Sequence, residues 1–169
     1  MTAPFDALGV APDLVSALAA RGITSAFAIQ ELTIADALAG RDVCGKAKTG
    51  SGKTLAFGLP VLQTVKKAES RQPRALILVP TRELATQVCD ELAPIGEVRD
   101  VTVAAVYGGA DIDKQIKKLK AGVEVVAATP GRMIDLIERK EVDLVDVGVV
   151  VLDEADRMAD MGFLPQVEW

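Results

Sequence analysis

Four short apolar runs fix most of what this chain can fold into. They are Ala75-Leu76-Ile77-Leu78-Val79, 101–106, 123–128 and 147–152, the last the richest in β-branched residues. The first is continuously apolar and stops at Pro80, which marks a strand buried on both faces. Between the runs lie stretches of helical spacing. Leu84, Val88 and Leu92 share one stripe, Ile112, Ile116 and Leu119 another, and Pro130 opens a third through Met133, Ile134, Leu136 and Ile137. Strands alternating with helices predict an α/β fold, a parallel sheet with helices on both faces and right-handed crossovers. In such sheets ligands sit at the C-terminal ends of the strands.

The part before the first run follows the same grammar. Asp13 reads as the N-cap of a helix over 14–20 that Gly22 ends, and 29–39 reads as a helix stopped by Gly40. Asp42-Val43-Cys44-Gly45 predicts a short strand, and Lys53 to about Lys67 a helix. Between these two lies Ala47-Lys48-Thr49-Gly50-Ser51-Gly52-Lys53-Thr54, which reads as a phosphate-binding loop. Gly50 and Gly52 let the backbone curl and aim its N–H groups inward, and a following helix would turn its positive end toward an anion. Lys53 can reach the β- and γ-phosphates, and the Thr54 hydroxyl a Mg²⁺ ion. The usual first glycine of the pattern is Ala47 here, which the loop tolerates if φ at that position is negative.

Composition closes several doors. The chain has no histidine, which removes Ser-His triads, histidine metal sites and histidine proton shuttles. Its net charge of −5 means that any nucleic acid must be held in a local groove, and one Trp, one Tyr and four Phe give no multi-ring stacking platform. Cys44 and Cys89, the only cysteines, lack metal or disulfide spacing and, flanked by apolar residues, read as buried free thiols. No signal peptide or membrane span is read, and a reducing cytoplasm fits.

Asp153-Glu154-Ala155-Asp156 follows the last β-rich run. A carboxylate at a buried strand end, in a chain with a phosphate loop, reads as the Mg²⁺ partner; Glu154 is then placed to orient and deprotonate an attacking water. The bland alternative makes Asp153 the cap of the next helix. Three more sets follow strands: Pro80-Thr81-Arg82, Gly108-Gly109 and Thr129-Pro130-Gly131-Arg132. Each could be only a cap, a turn or a surface charge. Together they offer the hydroxyls, glycine N–H groups, helix N-termini and arginines that hold a sugar-phosphate strand without reading bases.

With these motifs in this order, the chain resembles the first RecA-like domain of a DEAD-box ATP-dependent RNA helicase, a P-loop NTPase. Residues 47–54 match that family's motif I, 80–85 motif Ia, 108–109 the GG motif, 129–132 motif Ib and 153–156 motif II; the surrounding wording is similar to bacterial members of the RhlE-like type. The resemblance implies ATP and Mg²⁺ as cofactors and RNA as partner. Lys53, Asp153 and Glu154 become the catalytic set, Thr54 and Asp153 the metal set, and Ala47, Thr49, Gly50, Ser51, Gly52, Lys53 and Thr54 the nucleotide loop. It also implies an adenine-reading Q motif within residues 1–40, ahead of a RecA-like domain from 41 to 169. Gln30 would pair its amide with the adenine edge, and Phe5, seventeen positions before Gly22, would pack on the base. The family's Pro-Thr-Pro is Ala26-Phe27-Ala28 here.

The family's Ser-Ala-Thr motif and second RecA-like domain do not occur in this sequence. The expectation is therefore a truncated domain that binds nucleotide weakly, hydrolyses ATP negligibly and self-associates through an unpaired sheet edge. A DNA helicase or related NTPase, a non-enzymatic RNA-binding module and a metabolic kinase are the rival readings.

Overall fold

The computed structural model describes residues 2–169. Its residues fall into two compact units, one running up to Thr64 and including Pro94–Asp100, the other formed by Val65–Ala93 and Val101–Trp169.

The first unit is helical. A 3-10 turn, Phe5–Leu8, leads to α1 (Pro12–Ala19), α2 (Ala28–Leu38) and α3 (Lys53–Thr64). Helix α1 starts two residues earlier than the capping pattern predicts, because Pro12 occupies its first turn and Ala11 is the N-cap. Asp13 instead pairs with Arg99 at 2.8 Å. Gln63 ties the unit together: its Oε1 accepts from the Ala11 amide at 2.8 Å and its Nε2 donates to the Gly9 carbonyl at 3.0 Å. Leu14, Leu18, Ile34, Leu59 and Leu62 are buried here.

The strand expected at Asp42–Gly45 does not form. Residues 41–48 are irregular, which leaves Val43 and Cys44 exposed; the burial expected of the two thiols does not hold, Cys89 being only half-buried. A run this short, with an Asp and a Gly among four residues, has too little β-propensity to stay extended without a paired neighbour. Helix α3 also stops at Thr64, short of Lys67.

The second unit carries the sheet. Strands β1 (Ala75–Leu78), β2 (Val103–Val106), β3 (Val125–Ala128) and β4 (Val149–Leu152) are all parallel and lie in the order β2-β3-β1-β4. Helices α4 (Arg82–Gly96), α5 (Ile112–Ala121), α6 (Pro130–Glu138), α7 (Ala155–Asp160) and α8 (Leu164–Glu168) intervene or follow. Every residue of β1 and β3 is buried, as expected for central strands with helices on both faces. On one face Leu76, Leu78, Val106 and Val126 form a core with Leu119 of α5, Met133 and Leu136 of α6 and Met158 of α7. Among the described residues strand β4 pairs only with β1, and its Val150 and Leu152 are exposed.

Register decides where the loops after the strands meet. Leu78 pairs with both Ala128 and Leu152, and Val106 pairs with Ala128, so all four strands end level. The next residues then form a row at one sheet edge, successive strands being about 4.8 Å apart. The Val79 amide bonds the Ala128 carbonyl at 2.9 Å, Thr129 bonds Val106 at 3.0 Å and Asp153 bonds Leu78 at 3.0 Å.

Candidate nucleotide loop and strand-end groove

The glycine-rich loop in the first unit has the backbone its sequence calls for. Gly50 and Gly52 have φ of +80° and +83°, whereas Ala47 does not have a positive φ and so carries its Cβ without strain. At Gly52 the absence of a side chain is also steric. A Cβ there would lie 2.5 Å from Gln30 Nε2 and 2.6 Å from Phe27 Cδ2. Lys53 and Thr54 open α3, so the loop does feed a helix N-terminus. Ser51 Oγ is buried with no hydrogen-bond partner among the described residues. A polar atom orphaned inside a curled loop fits a site that takes an anion with acceptor oxygens.

Gln30 sits beneath this loop at 1% exposure. Its Oε1 accepts from the Phe27 amide at 2.8 Å, the returning half of a capping box at the start of α2, and its Nε2 donates to the Gly52 carbonyl at 2.9 Å. Both ends of the amide expected to face adenine are therefore turned to the protein. Phe5 is also 1% exposed, and its ring serves as a core residue of the first unit. The exposed aromatic beside the loop is Phe27, which lines a pocket of about 370 Å³ with Ile29, Leu32, Lys46, Ala47 and Ser51. Phe27 was not singled out from the sequence. Its signal was the replacement of the family's Pro-Thr-Pro.

The second unit assembles the other sets. Along the sheet edge, strand order places Gly108-Gly109 after β2, Thr129–Arg132 after β3, Pro80–Arg82 after β1 and Asp153 after β4. The three sets read as backbone-binding are neighbours, which their sequence order conceals. All of their residues except Thr81 and Gly109 line one groove of about 510 Å³. Thr81 is instead a helix cap, its Oγ1 accepting from the Leu84 amide at 3.3 Å. Thr129 is the N-cap residue of α6 but makes no side-chain cap bond, which leaves its hydroxyl uncommitted to the helix. Arg82, with a side chain 61% exposed, donates from Nε to Glu83 at 3.0 Å. The Glu83 carboxyl is held below its ordinary range by its own backbone amide and by Arg82.

Three groove residues escaped the sequence reading. Asp135 lies on α6 and pairs with Arg139 at 2.8 Å, so its charge is partly answered on the helix itself. Phe163 and Gln166 come from α8 and its lead-in, where an aromatic and an amide carried no distinguishing spacing.

Asp153 is not the cap of the helix that follows. The N-cap of α7 is Glu154, which makes no side-chain cap bond and has φ +55° and ψ +44°. A glutamate in the left-handed region is strained, and such strain persists where surrounding structure imposes it, often at functional sites.

A parallel sheet with level strand ends, a glycine-rich loop feeding a helix and an Asp-Glu pair after an edge strand define a RecA-like P-loop NTPase domain. The chain belongs to the DEAD/DEAH box helicase family, whose sequence model matches residues 27–169. It is 48% identical over 164 residues to the DEAD-box ATP-dependent RNA helicase CshA of Streptococcus pneumoniae, covering 97% of this chain and 31% of that protein. It is 43% identical over 171 residues to the ATP-dependent RNA helicase RhlB of Sodalis glossinidius, covering 98% of this chain and 41% of that one. The crystal structure of the RNA helicase Prp28 from Chaetomium thermophilum bound to ADP superposes with a TM-score of 0.88 at 38% identity, over 95% of this chain and 40% of that chain. The chain thus spans about a third of the CshA relative it matches. Among the described residues no helix is long and apolar enough to cross a membrane.

Proposed function

We propose that this chain is the ATP- and RNA-binding first domain of an ATP-dependent RNA helicase that separates short RNA duplexes. In this reading residues 1–40 form the base-recognition region and 41–169 the first RecA-like domain. The observation that carries it is the single groove shared by the loops after β1, β2 and β3, with Asp153-Glu154 next in line on the same sheet edge. Its hydroxyl, backbone and arginine groups suit a sugar-phosphate strand of any sequence.

In the nucleotide loop, the amides around Gly50 and Gly52, the Ser51 hydroxyl and the Lys53 ammonium bind and orient the phosphates. Thr54 and Asp153 are the residues that would hold Mg²⁺, which when bound neutralises charge gathering on the phosphate oxygens. The donors, a threonine hydroxyl and a carboxylate, are hard oxygens of the kind that ion prefers, and it takes few of them from protein. Glu154 accepts the proton of an attacking water. Gln30 reads the adenine edge once its amide leaves the Gly52 carbonyl. The cytoplasm is the compartment proposed.

Because the chain spans about a third of the CshA relative, we assign the remaining transition-state charge stabilisation to a second RecA-like domain. The 169 residues alone then bind ADP and RNA but turn over ATP slowly. Titrating the purified chain with a fluorescent ADP analogue, alongside Lys53→Ala, tests the nucleotide half. Nucleotide affinity that is absent, or unchanged by Lys53→Ala, contradicts it.

A non-enzymatic RNA-binding module is the second reading, favoured by the complete groove in the second unit. RNA-stimulated ATP turnover by the full-length protein that survives neither Lys53→Ala nor Glu154→Gln excludes it.

A further inference from the structure

The groove has a support buried behind it. Gln115 lies on α5, a helix otherwise dressed with Lys114, Lys117, Lys118 and Lys120, yet it is only 7% exposed. Its Nε2 donates to the Tyr107 carbonyl at 3.0 Å, and its Oε1 accepts from Arg132 Nη1 at 3.1 Å. Arg132 Nη1 and Nη2 also donate to the Ala110 carbonyl, each at 3.3 Å. Tyr107 and Ala110 bracket Gly108-Gly109. One end of the diglycine loop is therefore held by Gln115, the other by Arg132, and the two holders are bonded to each other.

The physical need for such a brace is plain. Two adjacent glycines have the greatest backbone freedom of any pair, and Gly109 sits at φ +79°. Left alone, the loop would present its N–H groups in many directions and would have to be ordered each time a strand bound. Arg132 is the second reason. Part of its guanidinium is committed to protein acceptors, which fixes the plane of the fork and the direction of its remaining donors. A buried amide that satisfies one acceptor and one donor at once is costly to replace by anything that does only one.

We propose that Gln115 is a positioning residue for RNA: it locks the diglycine loop and Arg132 into one preformed surface that receives the sugar-phosphate backbone. The proposal rests on the reading of the strand-end groove as an RNA site. It makes Arg132 both a groove residue and half of the brace, and it extends the site to a helix that lines no part of the groove.

The test is the affinity of the purified chain for a short fluorescent single-stranded RNA, measured by anisotropy across a salt series, with thermal unfolding in parallel. Gln115→Leu removes both bonds but no charge. The expected result is a loss of about tenfold or more in RNA affinity, the order set by one neutral and one charge-assisted hydrogen bond, with an unchanged slope of log affinity against log salt. Gln115→Glu keeps an acceptor for Arg132 but loses the donor to Tyr107 and adds a negative charge behind the groove, so its affinity also falls and its salt slope is lowered. If Gln115→Leu does not fold, Gln115→Met, which also removes both bonds and no charge, carries the test on the same criterion. Wild-type RNA affinity in a folded Gln115 variant, even with a lowered unfolding temperature, makes the residue merely structural and overturns the proposal. Absence of RNA binding by the unaltered chain overturns the RNA reading itself, and this proposal with it.

Discussion

Gln30 Nε2 donates to the Gly52 carbonyl at 2.9 Å, so the residue expected to read the base is bonded to the loop expected to hold the phosphates. The contact is close enough that Gly52 has no room for a side chain. On the proposed reading, base recognition and phosphate binding share one backbone group, and a ligand that takes the Gln30 amide changes what the Gly52 carbonyl bonds to.

The two loop glycines should respond differently to alanine. Gly52→Ala meets both an unfavourable positive φ and two side chains inside contact distance, whereas Gly50→Ala meets the φ alone, with open space around it. Gly50→Ala is expected to cost about 1 kcal/mol. Gly52→Ala should cost about 2–4 kcal/mol and abolish measurable ADP binding. Chemical denaturation and ADP titration of the two variants side by side check this, and equal effects contradict it.

Glu154 holds a left-handed conformation that suits glycine better. Glu154→Gly should raise stability by about 0.5–1 kcal/mol while eliminating RNA-stimulated hydrolysis by the full-length protein. Glu154→Gln should eliminate hydrolysis with little change in stability. Thermal unfolding paired with a turnover assay separates strain from chemistry. A fall in stability for Glu154→Gly would show that the side chain contributes more to folding than the backbone strain costs.

Glu124 gives the fold a defined acid sensitivity. It is buried at the start of β3, accepts from the Ala68 amide at 3.2 Å and the Thr102 amide at 2.8 Å, and lies 3.4 Å from Lys67 Nζ. Burial alone would raise its pKa, but the two amides and then Lys67 outweigh this and hold it below the ordinary value. A depressed folded-state pKa contributes stability above the unfolded value, about 4.3, and that stability drains away as pH falls through the folded value. Glu124→Gln replaces one acceptor with a donor facing an N–H group. It should cost about 1–3 kcal/mol near neutrality. It should also flatten the loss of stability below about pH 4.3, where this group titrates. Melting temperature against pH for the two proteins is the measurement, and parallel curves contradict the assignment.

The sequence made the second unit legible because its strands are unbroken aliphatic runs, as expected of parallel strands buried on both faces. The phosphate loop was legible because glycine spacing reports positive φ, which the structure shows at Gly50 and Gly52. Strand order was not legible. Four similar short aliphatic runs carry no pairing preference, so that the loops after β2, β3 and β1 are neighbours emerged only from register. The stretch 42–45 misled because local propensity cannot form a strand whose hydrogen bonds have no partner. Gln115 was hidden by its lysine neighbours, since a polar residue on a charged helix reads as solvated until its burial is seen. Phe5 and Gln30 are singled out by position, but only the structure shows one ring in the core and one amide turned inward.

The central claim is that the strand-end groove binds an RNA backbone, and a salt-dependent RNA titration of the purified chain and Arg82→Ala tests it most directly. The predicted result is binding that is similar for unrelated single-stranded RNA sequences. Arg82→Ala should weaken it and lower the slope of log affinity against log salt by about one phosphate contact. No RNA binding, or binding whose affinity and slope are untouched by Arg82→Ala, would contradict the account.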